Sequence, residues 1–150
     1  MKTVNEQTIQ VRKLDENAVL PVYGTEHSAG ADLYACMEEA VTIRPGEACL
    51  IHTGLAMAIP EGYAGLVFAR SGLAVKQGLA PSNKVGVIDA DYRGEIMVSL
   101  YNHSKETRTV EPGERIAQMV AAAYVRTEIQ PAEELSASER GAGGFGSTGV

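Results

Sequence analysis

The sequence predicts an all-β fold with one short helix. Apolar runs are short and rich in β-branched or aromatic residues, turn-forming residues separate them at short intervals, and only one stretch has a helical pattern. Many short strands joined by regular turns are typical of a sandwich or a barrel. The length of 150 residues suits one ordinary domain with a substantial core.

The predicted strands follow one another along the whole chain. The first, Thr8–Lys13, alternates apolar and polar residues, as expected for a strand with one buried face. Pro45-Gly46, Pro60-Glu61-Gly62 and Pro112-Gly113 are the clearest turns between strands. The remaining predicted strands are Val41–Ile43, Ala48–Ile51, Leu55–Ile59, Ala64–Phe68, Val85–Ile88, Glu95–Leu100 and Ile116–Val125.

The single predicted helix covers Gly72–Gln77. Ser71 is expected to be its N-cap, and Gly78 is expected to end it. Leu73 is the residue that would face the core. Because so short a helix is unstable alone, it must pack against the sheets.

The C-terminal segment differs in composition from the rest of the chain. Five of the ten residues from Arg140 to Gly149 are glycine. Fixing such a segment costs about 1–2 kcal/mol per residue, so we predict a domain at 1–135 followed by a flexible arm at 136–150. Phe145 has nothing local to pack on and is suited to stacking on a base.

Composition and charge exclude several classes of function. A net charge of −6 argues against a protein that binds nucleic acid through its phosphates. A small phosphorylated ligand remains compatible with that charge if local cations, backbone N–H groups or a divalent metal offset its own. No apolar run approaches about 18 residues, and Met1–Arg12 has no signal-peptide pattern, so we expect a cytoplasmic protein that does not bind membranes.

The cysteines and histidines give no indication of a metal site. Cys36 and Cys49 lack metal-ligand or redox spacing and are expected to be reduced structural thiols. The three histidines, His27, His52 and His103, are scattered along the chain without metal-ligand spacing. The sequence therefore does not predict a zinc site.

Two segments have residues suited to phosphate chemistry. Arg70-Ser71-Gly72 lies where a strand gives way to a helix, so a planar cation, free N–H groups and a glycine that permits close approach coincide. A surface arginine followed by a capped helix, with no role in phosphate binding, would give the same sequence pattern.

Gly86–Ile96 is predicted to be a hairpin with an acidic turn. Asp89 directly follows its first strand, and a carboxylate on a rigid element suits a general base.

Other features are weaker when taken alone. Tyr92 is placed either to pack on a flat ligand or to cover the hairpin. Asp32 is expected either to orient a metal-bound water or to close a turn. Gln118 lies in an apolar run and needs a polar partner. The glycine-rich segment after Arg140 has no P-loop lysine and no flanking strand and helix, so it does not fit a Walker or a Rossmann motif.

Five segments together resemble the family of homotrimeric dUTP pyrophosphatases, the dUTPases. One such segment would be weak evidence. All five, however, occur in the order of that family and span nearly the whole chain. The segments are AGADL at Ala29–Leu33, RSGLA at Arg70–Ala74, GVIDADYRGEI at Gly86–Ile96, GERIAQM at Gly113–Met119 and RGAGGFGSTG at Arg140–Gly149.

The resemblance implies a β jelly roll, a homotrimer and three active sites that each draw on all three chains. It implies a dUTP diphosphatase that forms dUMP and pyrophosphate, keeps uracil out of DNA and supplies dUMP for thymidylate synthesis. Mg²⁺ would be held by the substrate phosphates and by water, with no direct protein ligand and with Asp32 supporting the surrounding water network. Asp89 would activate the attacking water at the α-phosphate, and Gln118 would help to hold that water.

The resemblance also implies a set of substrate-binding residues. Tyr92 would pack on the deoxyribose and leave no room for a 2′-hydroxyl. Backbone groups would read the uracil edge, a pocket that a thymine methyl or a cytosine edge would not fit. Phe145 would cap the uracil. Arg70, Ser71 and Gly72 would bind the α- and β-phosphates, and Asn83, Val87, Ile88 and Met97 would bind the uracil. From the arm, Arg140, Ser147 and Thr148 would bind the β- and γ-phosphates, and Gly146 would also contact the substrate.

Two other functions are compatible with parts of the pattern. A dCTP deaminase shares the phosphate segment, but that family carries a catalytic Glu where this chain has Ser99 and a second Ser where it has Gly72. A non-catalytic jelly-roll module would not need Asp89 or Phe145. Both alternatives therefore fit the sequence less well than dUTP hydrolysis does.

Overall fold

The computed structural model describes residues 7–146, and these form eleven strands and one helix. The chain order is β1 (Gln10–Lys13), β2 (Val22–Tyr23), β3 (Ala31–Tyr34), β4 (Val41–Ile43), β5 (Ala48–Ala58), β6 (Tyr63–Phe68), α1 (Ser71–Gln77), β7 (Leu79–Pro81), β8 (Gly86–Ile88), β9 (Glu95–Asn102), β10 (Arg108–Val110) and β11 (Arg115–Ala123). The prediction of an all-β fold with one short helix is confirmed.

The strands form three antiparallel sheets. One has the order β1-β5-β9-β7, a second has the order β2-β3-β11-β6-β8, and β10 pairs with β4 in a small third sheet. Fully buried side chains from all three sheets form one core, and the largest of them are Leu33, Ile43, Ile51, Leu55, Leu79, Leu100, Val110 and Ile116. In β9 every second residue from Ile96 to Asn102 is buried. Because side chains alternate between the two faces of a strand, one face of β9 packs on the core.

Strand prediction failed at some short segments, although β4 was predicted with the bounds the structure shows and β8 with bounds one residue longer. The sequence pattern predicts no strand at β2, β7 or β10, and it indicates a possible turn at Asp32, where the structure has β3. The pattern also predicts two strands within β5. The structure shows one strand that carries a bulge between His52 and Ala56, where the register with β9 shifts.

The predicted hairpin at Gly86–Ile96 is wrong. Strand β8 pairs with β6 in the five-stranded sheet, whereas β9 pairs with β5 and β7 in the four-stranded sheet. Residues Asp89–Gly94 therefore cross from one sheet to the other. Strand β8 matches three residues of β6, and β9 matches six residues of β5, so each strand pairs within its own sheet.

The helix begins one residue earlier than predicted. Arg70, in an extended conformation, is the N-cap and Ser71 is the first helical residue, so the prediction of Ser71 as N-cap is wrong. No side chain caps this end. The other end agrees with prediction: Gly78 adopts a left-handed conformation and donates its N–H to Ala74, and Leu73 is the buried residue.

Asn102 is the buried polar residue that joins β9 to its surroundings. Its Nδ2 donates to the carbonyl oxygens of Ile43 and Glu106, at 2.8 and 2.7 Å, and its Oδ1 accepts from the backbone N–H and hydroxyl of Ser104. The side chain is fully buried. It therefore ties the β4 edge and the loop after β9 to one point.

Replacing Asn102 with Ala is expected to lower the free energy of unfolding by roughly 2–4 kcal/mol, because several buried hydrogen bonds are lost together. Urea unfolding at one fixed protein concentration measures this. Asn17→Ala, at an exposed position, is the matched control and should stay within about 0.5 kcal/mol of the original. Equal stability of the two variants would contradict the role given to Asn102.

No helix within residues 7–146 is both long and apolar enough to cross a membrane.

Candidate active site

Asp32, Arg70 and Gln118 lie together where β3, β6 and β11 adjoin. Asp32 and Phe68 are both cross-strand partners of Gln118, and Arg70 follows β6 by two residues. Arg70 Nε donates to Asp32 Oδ1 at 2.8 Å, and Arg115 Nη1 approaches Asp32 Oδ2 at 3.6 Å. Residues from three separate sequence segments thus form one group, which we call the Asp32 cluster: Asp32, Arg70, Arg115 and Gln118.

Gln118 is held in place by its own hydrogen bond and by a glycine. Its Nε2 donates to the carbonyl oxygen of Ala69 at 2.8 Å, which answers the need for a polar partner in an apolar strand. A Cβ at Gly30 would collide with Gln118 Oε1. Gly30 therefore keeps the space into which the Gln118 carboxamide fits, which the sequence analysis did not anticipate.

The first turn of α1 stands beside the Asp32 cluster. Ser71 and Gly72 are both exposed, and a Cβ at Gly72 would meet no atom within 4 Å. Packing within the chain therefore does not require glycine at this position. The open space there leaves room for another molecule to approach the backbone closely.

A second group of predicted residues surrounds a cavity of about 280 Å³ between β8 and β9. Its walls combine apolar side chains with a few polar groups, as in small-molecule sites. Six of the residues predicted for uracil, deoxyribose and water line this cavity, whereas Gln118 and Phe145 do not; the six are Asn83, Val87, Ile88, Asp89, Tyr92 and Met97.

The cavity exists because β8 and β9 separate into different sheets. Strand β8 is the outer strand of its sheet. Strand β9 pairs with β7 only at residues 100–102, so among the described strands none pairs with the first half of β9 on that edge. Edge strands present unpaired backbone donors and acceptors. The cavity is thus bordered by backbone groups that can hydrogen-bond a planar ligand.

Asp89 and Tyr92 stand at the mouth of this cavity. Asp89 is exposed and directly follows the last residue of β8, as predicted. Tyr92 donates its hydroxyl to the carbonyl oxygen of Glu95 at 2.8 Å, which fixes the ring beside Gly94. Arg93 donates to the carbonyl oxygens of Ala90 and Tyr92. These hydrogen bonds lie within the connection Asp89–Gly94 and stabilise it.

Within one chain the two groups are far apart. Ile88 pairs with Gly65 and Gln118 pairs with Phe68 on opposite sides of β6. Strand geometry places the backbones of Ile88 and Gln118 about 14 Å apart, and Asp89 continues away from Gln118. Asp89 and Gln118 of the same chain therefore cannot hold one water molecule.

The glycine-rich arm contacts neither group through its aromatic side chain. Residues 124–146 contain no helix or strand, and the Phe145 ring is fully exposed. Arg140 Nε donates to the carbonyl oxygen of Gly143 in a local turn. Gly146 is exposed, with a left-handed backbone. Ser147 and Thr148, also predicted to bind phosphate, lie outside the described residues.

Neither cysteine takes part in these groups. Cys36 and Cys49 are both free thiols. Burial, followed by the nearby carboxylates of Asp15 and Glu95, raises the pKa of the Cys36 thiol. A raised pKa keeps the thiol protonated and unreactive, in agreement with a structural role.

Comparison with known proteins identifies the family. A family model described as dUTPase matches residues 16–149. The chain belongs to the dUTPase family. A deoxyuridine 5′-triphosphate nucleotidohydrolase from Syntrophotalea carbinolica is 48% identical over 149 residues, which is 99% of each chain. One from Rickettsia felis is 50% identical over 143 residues, covering 95% of this chain and 97% of its own.

Solved dUTPase structures share the fold. The dUTPase of Staphylococcus bacteriophage 80alpha with dUPNHPP has a TM-score of 0.86 and 35% identity, covering 97% of this chain and all of its own. A mutant dUTPase of phage phi11 of S. aureus, described as showing how a structural Mg(II) ion is coordinated, has a TM-score of 0.76 and 30% identity over 85% of this chain and 98% of its own. The three sheets of this dUTPase thus form the predicted jelly-roll-like fold.

Proposed function

We propose that the chain hydrolyses dUTP to dUMP and pyrophosphate by water attack at the α-phosphate, with Asp89 as the general base. The overall reaction is that of a dUTP diphosphatase, a hydrolase of nucleotide metabolism, and it follows from the family. The observation that supports the residue assignment is the cavity between β8 and β9, which has Asp89 at its mouth. A carboxylate there can accept a proton from water beside a bound nucleotide.

Backbone groups along the edges of β8 and β9 would select the base. Uracil presents fixed donors and acceptors, so a rigid backbone edge accepts uracil and rejects cytosine, whose pattern differs. Val87, Ile88 and Met97 supply that edge, and Asn83 lies on the same wall. Tyr92, with its ring fixed, would pack on the deoxyribose and exclude a 2′-hydroxyl.

The Asp32 cluster would bind the phosphates. Arg70 keeps its guanidinium oriented through Asp32, and a pre-oriented guanidinium binds phosphate with a smaller loss of side-chain entropy. Ser71 and Gly72 are exposed beside it and can approach the α- and β-phosphates. Gln118 would hold the attacking water.

The donor set fits a magnesium ion held mainly by substrate oxygens. Among residues 7–146, no three His, Cys, Asp or Glu side chains are grouped to hold a metal ion, and the Asp32 carboxylate already contacts two guanidinium groups. Mg²⁺ retains several waters and binds triphosphates readily. When bound, it would neutralise charge on the triphosphate, with Asp32 outside its direct ligands.

A shared active site would unite the two groups. Because the backbones of Ile88 and Gln118 of one chain are about 14 Å apart and Asp89 lies farther still from Gln118, a neighbouring copy must supply one of the two side chains. We propose a homotrimer in which the cavity of one chain faces the Asp32 cluster of another, and the arm of the third closes over the substrate. The division into 1–135 and 136–150, the cytoplasmic location and the role in thymidylate supply stay predictions.

Incubation with dUTP or dCTP and Mg²⁺ tests the reaction. We expect pyrophosphate from dUTP alone and no ammonia from dCTP, because Ser99 on the cavity wall lacks the carboxylate that a deaminase uses. Ammonia from dCTP would contradict the assignment. If neither nucleotide reacted, a non-catalytic module would be the better description.

A further inference from the structure

Glu95 joins the bulge of β5 to the start of β9, beside the nucleotide cavity. Its Oε1 accepts the backbone N–H of Gly54 at 2.9 Å, and its Oε2 lies 2.9 Å from His52 Nδ1. The Glu95 side chain is largely buried, whereas His52 is more than half exposed. One carboxylate thus binds two points on the neighbouring strand.

The Glu95 backbone accepts the hydrogen bond that holds the Tyr92 side chain in place. The Tyr92 hydroxyl donates to the Glu95 carbonyl oxygen at 2.8 Å. A Cβ at Gly94 would lie 2.5 Å from that hydroxyl, so the ring fits only because residue 94 is glycine. The position of the ring therefore depends on the position of the Glu95 backbone.

The bulge to which Glu95 binds is a rigid support. Gly54 has a φ of +67°, and a Cβ there would lie 2.9 Å from both Ala18 Cβ and Cys36 Sγ. Its carbonyl oxygen accepts the N–H of Leu14 at 2.7 Å. Buried Thr53, next to Gly54, donates its hydroxyl to the Ile96 carbonyl oxygen. The bulge is thus packed on several sides and bonded to β9 at two successive residues.

We propose that Glu95 is a positioning residue for sugar discrimination: by fixing the start of β9 to the β5 bulge, it holds Tyr92 where a 2′-hydroxyl does not fit. The proposal rests on the sugar-packing role given to Tyr92 under the proposed function. Small displacements of a positioned group change rates strongly. Loosening Glu95 should therefore admit UTP before it impairs dUTP hydrolysis.

The ratio of kcat/KM for dUTP to kcat/KM for UTP measures this discrimination. Glu95→Ala removes both acceptors and should lower the ratio about tenfold. Glu95→Asp keeps the charge but is one methylene too short to reach Gly54 and His52 together, so it should lower the ratio as well. Glu95→Gln can still accept from Gly54 and donate to His52 Nδ1, so it should retain nearly the original ratio.

A double substitution tests whether Glu95 acts through Tyr92. Tyr92→Phe removes the hydroxyl that donates a hydrogen bond to the Glu95 carbonyl oxygen, so it should also lower the ratio. If both changes loosen the same anchor, Tyr92→Phe combined with Glu95→Ala should be no worse than the more severe single change. Independent effects would multiply.

Several outcomes would overturn the proposal. It fails if Glu95→Asp and Glu95→Gln discriminate equally well, a comparison that remains available if Glu95→Ala does not fold. It also fails if thermal stability falls while the ratio stays unchanged, since that is a structural role alone. An original enzyme that cleaves UTP as readily as dUTP would overturn the role of Tyr92 itself, which distinguishes that failure from a failure of Glu95.

Discussion

Replacing Asp89 with Asn is expected to lower kcat for dUTP by about 10²–10⁴-fold, because the amide has nearly the same shape but cannot take a proton from water. Binding should change little, since Asp89 stands at the cavity mouth and the residues expected to bind base and phosphate remain. Steady-state kinetics measures the first effect. Calorimetric titration with the non-hydrolysable analogue dUpNHpp measures the second.

Asp91→Asn is the matched control for this prediction. Asp91 lies on the same connection, is also exposed and has no assigned role, so its replacement should leave turnover near the original value. Normal turnover by the Asp89 variant would remove the general-base assignment. An equal loss in both variants would show that net charge on the connection, rather than the position of Asp89, matters.

The Asp89 variant also tests whether the active site is shared. If Asp89 and Gln118 of one site come from different chains, co-expression of Asp89→Asn with Gln118→Ala should restore about a quarter of the sites in randomly mixed trimers. If each site belonged to one chain, every site would carry a defect and mixing would restore nothing. Within one chain the Ile88 and Gln118 backbones are about 14 Å apart and Asp89 lies farther still from Gln118, which favours restoration.

Ending the chain after Glu139 is expected to lower kcat/KM for dUTP by at least about 10²-fold, because a base-stacking contact and a charge-assisted phosphate contact are lost together. The thermal midpoint should change by no more than about 2 °C, since removing exposed groups has little effect on stability. From Tyr124 to Gly146 the described chain has no helix or strand, and Phe145 packs on nothing.

Single substitutions separate the contributions of the arm. Phe145→Ala should reproduce part of the loss in kcat/KM, whereas Leu135→Ala, also exposed but before the glycine-rich arm, should not. Differential scanning fluorimetry follows the stability of all three variants. A fall of many degrees in the truncated chain would show instead that the arm is structural.

Most of the fold was accessible from local pattern. Strands β6, β9 and β11, and β5 in two parts, were predicted because each is long enough to show alternation or a sustained apolar run. Short strands carry too few residues to show a period, so β4 and β8 were predicted only from their β-branched residues, and β2, β7 and β10 were not predicted. Val22–Tyr23 and Leu79–Pro81 form strands because longer neighbours offer them unpaired edges, which no local pattern reveals.

The residues of the candidate site could also be predicted from the sequence, but their arrangement in space could not. All of the predicted residues that the structure describes lie in the Asp32 cluster, at the start of α1, around the cavity or in the arm. Arg115, Gly30 and Glu95 were not assigned roles, although each belongs to a recognised segment. Their roles depend on contacts with residues distant in sequence, such as Glu95 with Gly54.

The sequence by itself determined the all-β class, the single short helix, the isolated character of the glycine-rich arm and the identity of the residues suited to bind phosphate and base. Only the tertiary structure decided that Gly86–Ile96 is not a hairpin and that Asp89 and Gln118 of one chain stand apart. The physical reason is that side-chain chemistry and periodicity are local properties, whereas strand pairing is a competition among distant edges. That competition drew β8 to β6 and β9 to β5 and β7, and so opened the cavity between them.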